Sequence, residues 1–202
     1  HELPVLSPAE MTGASEGQKP GKLEQLKIIR EYLSKPYETM EAMYGEAVMG
    51  APGRKAYREF LELLLSSPEG ATLWHCNEGK DRAGLASALV EHVLGVPRED
   101  IMRDYLATNL FVQTWAERML DELARHKLLV QLDADVAALF YANRDFLCRA
   151  VSLVEAEYGS IDHYVAEGLG FGADEQEALR ELYLVDEAAY GDAMMASAEV
   201  RA

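Results

Sequence analysis

A cysteine and an arginine separated by five residues form the part of this sequence best suited to chemistry. A cysteine thiolate is a strong nucleophile, whereas a neutral thiol is a weak one. An arginine guanidinium donates two parallel hydrogen bonds to the oxygens of a phosphoryl group, a geometry that lysine cannot reproduce. The spacing of Cys76 and Arg82 therefore predicts a loop in which the cysteine attacks a phosphate ester that the arginine holds.

The residues around this pair predict the elements that position it. Residues 72–74 are Thr, Leu and Trp, which favour a short buried strand. Gly79, inside the loop, permits a backbone conformation that a Cβ would penalise. From Arg82 onward, apolar residues recur at the spacing of an amphipathic helix. Because a helix N-terminus presents unpaired amides to an anion, the amides of residues 77–82 are expected to hold a phosphate or sulfate ion.

The stretch from residue 75 to residue 84, His-Cys-Asn-Glu-Gly-Lys-Asp-Arg-Ala-Gly, resembles the phosphate-binding loop of a known family. It is similar to the His-Cys-x-x-Gly-Lys-Asp-Arg-Thr-Gly loop of a bacterial and fungal branch of the protein tyrosine phosphatases. That branch contains atypical tyrosine and phosphoinositide phosphatases. Further similarities, at residues 94–97, 104–106 and 158–160, extend the resemblance over roughly residues 55–185. The resemblance implies a cysteine-dependent hydrolase with a phosphocysteine intermediate and no cofactor.

The resemblance also implies roles for the loop residues. Cys76 is expected to be the nucleophile, Arg82 the phosphate ligand and Asp81 a candidate proton donor. The family usually has threonine or serine after the arginine, where the hydroxyl steadies the departing thiolate. Ala83 stands there in this chain, so the second step is expected to be slower or to use another donor. The positions expected around the substrate are His75, which orients the loop, Asn77, Glu78, Gly79, Lys80, which contacts substrate charge, and Ala83.

The apolar pattern predicts an α/β fold, a small and mainly parallel sheet flanked by helices, with the active loop at the carboxyl end of a strand. Residues 3–6 are the other stretch that favours a strand, so helices are expected to dominate. Cys148 lies beside an apolar stripe and is expected to pack there. Helices are predicted near residues 23–33, 37–49, 57–64, 99–106, 111–129, 136–154 and 174–184.

A chain of 202 residues fits one domain, which is predicted over residues 1–185. Residues 1–22 are expected to be a loop or linker at its front, and residues 186–202 a C-terminal tail. The resemblance implies that helices within residues 111–157 cover the site as a lid. Phe111 and Trp115 are the candidates for that contact, with burial in the core as the alternative.

A net charge of −16 limits the partners that this chain can bind. It argues against nucleic acid, and it disfavours an anionic membrane surface. It also disfavours phosphoinositides relative to phosphotyrosine or small esters. Phosphotyrosine is the first substrate expected, with phosphoinositide or dual specificity next. No apolar run approaches the ~20 residues that a membrane-spanning helix needs. The two cysteines are too few for a disulfide framework, which favours the cytoplasm as the location and leaves secretion open. The histidines are not at metal-ligand spacing, so no metal site is expected.

Two other functions are compatible with the same residues. A phosphate-binding module without turnover is suggested by Ala83, which removes a hydroxyl from the loop. Sulfur or arsenate chemistry on a similar loop would reduce an oxyanion instead of releasing phosphate. Turnover of a generic aryl phosphate discriminates among the three functions.

Overall fold

The computed structural model describes residues 1–6, 30, 32–67, 70–125 and 136–185. Most of the helix predicted over residues 23–33 and the whole tail, residues 186–202, lie outside this part of the chain. Its helices are α1 (Pro36–Met49), α2 (Ala51–Ser66), α3 (Arg82–Val93), α4 (Arg98–Ala107), α5 (Asn109–Arg125), a 3-10 turn (Val136–Leu139), α6 (Arg144–Tyr158), α7 (Ile161–His163), which continues into a π-helical turn (Tyr164–Gly168), and α8 (Ala173–Tyr183).

The predicted α/β fold with a parallel sheet is wrong for the described residues, which contain helices and no strand. Residues 72–74 lack regular structure, and the Leu73 side chain is 88% exposed instead of buried. Residues 3–6 lie in irregular chain, although Val5 and Leu6 reach the core. The physical reason is that side-chain preference favours an extended backbone, whereas a sheet also needs a partner strand to accept its hydrogen bonds.

The core lies where α1 packs against both α2 and α6. The α2 helix carries buried residues on one face, among them Tyr57, Phe60 and Leu61, because its apolar positions follow the helical period. On α1, the ring of Tyr44 packs against that of Phe146 from α6, with ring centres 5.6 Å apart. Both rings are completely buried, so this contact fixes α1 against α6 directly behind the loop that precedes α3.

The single helix predicted over residues 136–154 is instead a 3-10 turn followed by α6. The 3-10 turn ends at Leu139, and Asn143 caps α6, because its side chain accepts a hydrogen bond from the Asp145 amide at 3.0 Å. The segment between the turn and α6 is held by Asn109, whose side chain bonds both the amide and the carbonyl of Ala142. The apolar pattern of the sequence does not show this break, because apolar side chains are buried on both sides of it.

The position of α3 is fixed at both ends by its neighbours. At its start, Gly84 lies so close to the ring of Tyr105 on α4 that an added Cβ would be 3.0 Å from it. At its end, Arg180 of α8 donates a hydrogen bond to the carbonyl of Val93 at 2.8 Å. The α3 N-terminus, and with it Arg82, therefore has a defined place in the fold.

Cys148 is exposed, contrary to the packing predicted for it. It borders a cavity of about 370 Å³ among α3, α4 and α6. Cys76 does not line this cavity. None of the described helices combines the length and apolar character needed to cross a bilayer.

Candidate active site

The structure brings Cys76 and Arg82 to the same cavity. This cavity measures about 560 Å³ and opens between α2, the loop before α3 and residues 1–6. Cys76 is a free, half-buried cysteine, and Arg82 begins α3. His75, Asn77 and Ala83 line the same cavity. A thiol, a guanidinium and a helix N-terminus around one cavity are the components of a site that binds an oxyanion next to a nucleophile.

The segment that leads into Cys76 is held by an aromatic side chain. The Trp74 indole N–H donates to the Ser87 hydroxyl of α3 at 3.1 Å, and its ring meets Phe60 of α2 edge-on, with centres 5.4 Å apart. Gly79 then turns the loop with φ of +74°, the left-handed conformation that its missing Cβ makes inexpensive. The loop is therefore positioned by side-chain contacts where a sheet was expected.

The side chains on either side of Cys76 are exposed to solvent. His75 is exposed, and its Nδ1 lies 2.9 Å from the carbonyl oxygen of Cys76. Since a carbonyl can only accept, Nδ1 donates, and this bond fixes the ring relative to the loop backbone. Asn77 donates to the Glu78 carboxylate at 3.1 Å, and both side chains are exposed.

Lys80 and Asp81 turn in the opposite direction, into the protein. Lys80 is 1% exposed, and its Nζ lies 2.9 Å from Asp81 Oδ2 and 2.9 Å from the carbonyl oxygen of Leu139. Asp81 Oδ1 accepts a hydrogen bond from Tyr44 at 2.8 Å. Neither residue lines the cavity that Cys76 and Arg82 share. The sequence-based roles of Asp81 as proton donor and Lys80 as substrate contact therefore stay predictions, because both side chains are engaged elsewhere.

Tyr57 is a further side chain at this cavity. It is buried, lines the cavity, and its hydroxyl lies 3.5 Å from the carbonyl oxygen of Arg82. Burial raises the pKa of the Tyr57 hydroxyl, and the charge of Arg82 opposes that increase in part. The hydroxyl stays protonated at neutral pH and is a neutral neighbour of the loop.

Sequence motifs do not identify three tyrosines that lie close to the loop. Tyr44 and Tyr105 occur within apolar helical stripes, which indicate packing alone, and Tyr57 does the same on α2. The available signal is chemical, because a buried tyrosine hydroxyl needs a hydrogen-bond partner. Sequence alone does not say that the partner of Tyr44 is Asp81, 37 positions away.

A pair of carboxyl groups lies on the other side of α3. Glu91 of α3 and Asp104 of α4 interact through their side chains next to a small cavity that also touches Gly79. Burial, and then the charge of Asp104, raises the pKa of Glu91 to about 7. Glu91 therefore holds its proton in weakly acidic solution.

Comparison with known proteins assigns the family. The model for the tyrosine phosphatase family matches residues 1–185, and the chain belongs to that family. A protein from Cupriavidus necator, named as a tyrosine-protein phosphatase, is 34% identical over 115 residues, which cover 56% of this chain and 41% of that protein. A triple specificity protein phosphatase, PtpB, from Mycobacterium tuberculosis is 29% identical over 104 residues, 47% of this chain and 37% of that protein. The chain thus matches about two fifths of the length of these relatives.

Proposed function

We propose that this chain carries the active site of a cysteine-dependent phosphatase that hydrolyses phosphate monoesters through a phosphocysteine. The observation that carries the proposal is that Cys76 and Arg82 line one cavity at the N-terminus of α3. Membership of the tyrosine phosphatase family supports the same chemistry. Residues 1–185 form the single catalytic domain in this proposal, the range that the family model matches.

In the first step, the Cys76 thiolate attacks phosphorus while the bond to the ester oxygen breaks, and the leaving oxygen takes up a proton. Arg82 binds two phosphoryl oxygens, and the amides of residues 77–82 bind the oxygen charge. In the second step, water attacks phosphorus, the P–S bond breaks, and phosphate and the thiolate are released. Asp81 is the proton donor that the sequence offers, and in this structure its carboxylate is bonded to Tyr44 and Lys80.

Phosphotyrosine is the substrate class that we place first, with dual or phosphoinositide specificity next. The cavity walls include the aromatic side chains of Tyr57, Phe60 and Trp74, which suit a flat aryl ester. The net charge of −16 works against long-range attraction of a highly phosphorylated headgroup. The Mycobacterium tuberculosis relative is named for triple specificity, which keeps broader substrates within the proposal.

Two further parts of the proposal concern the surroundings of the site. A lid from residues 111–157 is proposed because Leu110 and Phe111, in the first turn of α5, are 77% and 85% exposed. No residue of α5 or α6 lines the cavity in this structure, so the lid must move to cover it.

The cytoplasm is the proposed location because Cys76 and Cys148 are both free.

A phosphate-binding module without turnover is the second candidate. Two observations favour it: Ala83 offers no hydroxyl to the cavity, and the Asp81 carboxylate is engaged in the interior. Such a module would bind phosphate at the loop and release no product from an aryl ester.

Hydrolysis of p-nitrophenyl phosphate by matched cysteine variants separates the two. We expect turnover in the wild type, a loss of at least about a thousandfold in Cys76→Ser, and rates within about twofold of wild type in Cys148→Ser. Cys148 is the matched control because it is a free cysteine outside the cavity. Absence of turnover in a wild type whose Cys76 is protected from alkylation by phosphate would establish the binding module instead.

A further inference from the structure

A directional chain of hydrogen bonds reaches the loop from the interior. The Tyr44 hydroxyl donates to Asp81 Oδ1 at 2.8 Å, and it lies 2.6 Å from the Tyr105 hydroxyl. Because a hydroxyl has one hydrogen, and that of Tyr44 goes to the carboxylate, Tyr105 donates to Tyr44. Tyr105 in turn accepts a backbone hydrogen bond from Asn143, the residue that caps α6. The chain therefore runs from Asn143 through both tyrosines and ends on Asp81.

The second oxygen of Asp81 is held as firmly as the first. Lys80 lies between Asp81 Oδ2 and the Leu139 carbonyl, with both contacts at 2.9 Å. Lys80 and Asp81 are 1% and 7% exposed, and Tyr44 is fully buried. In a water-poor interior, such a network is strong when complete and costly when one member is missing. Helix α1, helix α4 and the 3-10 turn thus hold the two residues that immediately precede Arg82.

We infer that Tyr44 is a positioning residue for the phosphate-binding loop and acts through Asp81. The inference rests on the proposed function of the loop as a phosphate cradle. The backbone amides of Lys80, Asp81 and Arg82 belong to that cradle, and their direction follows from where the neighbouring side chains are anchored. Removal of the Tyr44 hydroxyl leaves Asp81 Oδ1 and the Tyr105 hydroxyl without their partner, which frees the end of the loop that carries Arg82.

A packing role for Tyr44 is separated from this positioning role by a substitution that keeps the ring. Tyr44→Phe retains the contact with Phe146 and deletes one hydroxyl. The matched control is Tyr164→Phe, since Tyr164 is 3% exposed and its hydroxyl donates to the Val48 carbonyl at 2.7 Å. Tyr164 does not line the cavity of Cys76. Each variant therefore loses one buried tyrosine hydroxyl, and only that of Tyr44 contacts the loop.

The readout is alkylation of Cys76 by iodoacetamide at increasing concentrations of inorganic phosphate, followed by peptide mass spectrometry. Cys148 is exposed and provides an internal reference for reagent and folding in each sample. We expect the phosphate concentration for half-protection of Cys76 to rise about tenfold in Tyr44→Phe and to change less than about twofold in Tyr164→Phe. Equal half-protection in Tyr44→Phe and wild type would overturn the inference.

A double-mutant cycle with Asp81→Ala tests whether Tyr44 acts through Asp81. In the Asp81→Ala background, Tyr44→Phe is expected to add less than about a twofold change, because the hydrogen bond is already absent. A full tenfold change in that background would assign the effect to general loosening of the core. Protection by phosphate requires no turnover, so a protected but inactive wild type would refute the phosphatase proposal alone. An unprotected wild type would refute both proposals.

Discussion

At the scale of single residues, the loop between Cys76 and Arg82 divides into two parts with different surroundings. Cys76 and Asn77 face a cavity, whereas Lys80 and Asp81 are buried against other helices. The spacing of the cysteine and arginine predicted that the two residues lie together, and both line one cavity. The direction of Lys80 and Asp81 was not predictable, because it depends on Tyr44 and on the carbonyl of Leu139, far away in the sequence.

Glu91 provides a prediction about pH and stability. Its pKa is raised from the ordinary value of 4.5 to about 7, so the folded state binds this proton more tightly than the unfolded state does. The stabilisation from this proton is therefore complete below about pH 4.5 and is lost as the pH rises through about 7. Because Glu91 is only partly buried, solvent screening limits the effect to about 1 kcal/mol.

Glu91→Gln removes the titrating group and keeps a hydrogen-bonding side chain next to Asp104. We expect the free energy of unfolding, measured by urea titration between pH 4.5 and 7.5, to change with pH by about 1 kcal/mol less in this variant than in wild type. Asp104→Asn removes the neighbouring charge but keeps the burial of Glu91, which is the larger cause of its raised pKa, so a smaller flattening is expected. Identical pH profiles for wild type and Glu91→Gln would contradict the assignment.

Ala83 gives a second prediction at this scale. Ala83 lines the cavity of Cys76, so a hydroxyl placed there lies in the site where the thiolate departs in the proposed second step. In Ala83→Ser we expect kcat for p-nitrophenyl phosphate to rise about fivefold and the initial burst of product to shrink, as one added hydrogen bond to the thiolate would produce. An unchanged kcat with an unchanged burst would show that breakdown of the intermediate does not limit the rate.

At the scale of elements, several helices were predictable, whereas the strand predicted at residues 72–74 is absent. The helices around residues 37–49, 57–64 and 99–106 follow from local periodicity, because each helix satisfies its own backbone hydrogen bonds. Residues 72–74 have suitable side chains for a strand, yet the described residues supply no neighbour to pair with them. The break before α6 was equally hidden, since it is made by Asn143 and by Asn109 from another helix.

Asn143 therefore yields a prediction for the element that it caps. Asn143→Ala removes the acceptor for the Asp145 amide and is expected to lower the free energy of unfolding by about 1 kcal/mol. Asn143→Asp keeps an oxygen in that position and is expected to stay within about 0.5 kcal/mol of wild type. Urea unfolding measures both. Equal destabilisation by the two substitutions would show that the side-chain cap does not stabilise α6.

At the scale of the whole molecule, stability is expected to come from helix packing and not from a sheet. Phe171 is completely buried, and the guanidinium of Arg58 lies over its ring at 5.2 Å. Phe171→Ala is expected to cost about 3–5 kcal/mol through the cavity that it leaves. Leu73 is 88% exposed, so Leu73→Ala is expected to cost less than about 0.5 kcal/mol. A cost above about 2 kcal/mol for Leu73→Ala would mean that residues 72–74 are covered in the folded protein.

The central claim is that the sulfur of Cys76 carries the phosphoryl group during the reaction. Its most direct test is a rapid acid quench of wild-type protein mixed with p-nitrophenyl phosphate, followed by mass spectrometry of the two cysteine peptides. We expect a phosphoryl group on the Cys76 peptide during the first turnover, none on the Cys148 peptide, and faster loss of the label in Ala83→Ser. Release of phosphate with no label on Cys76 at any time of quenching would contradict the account.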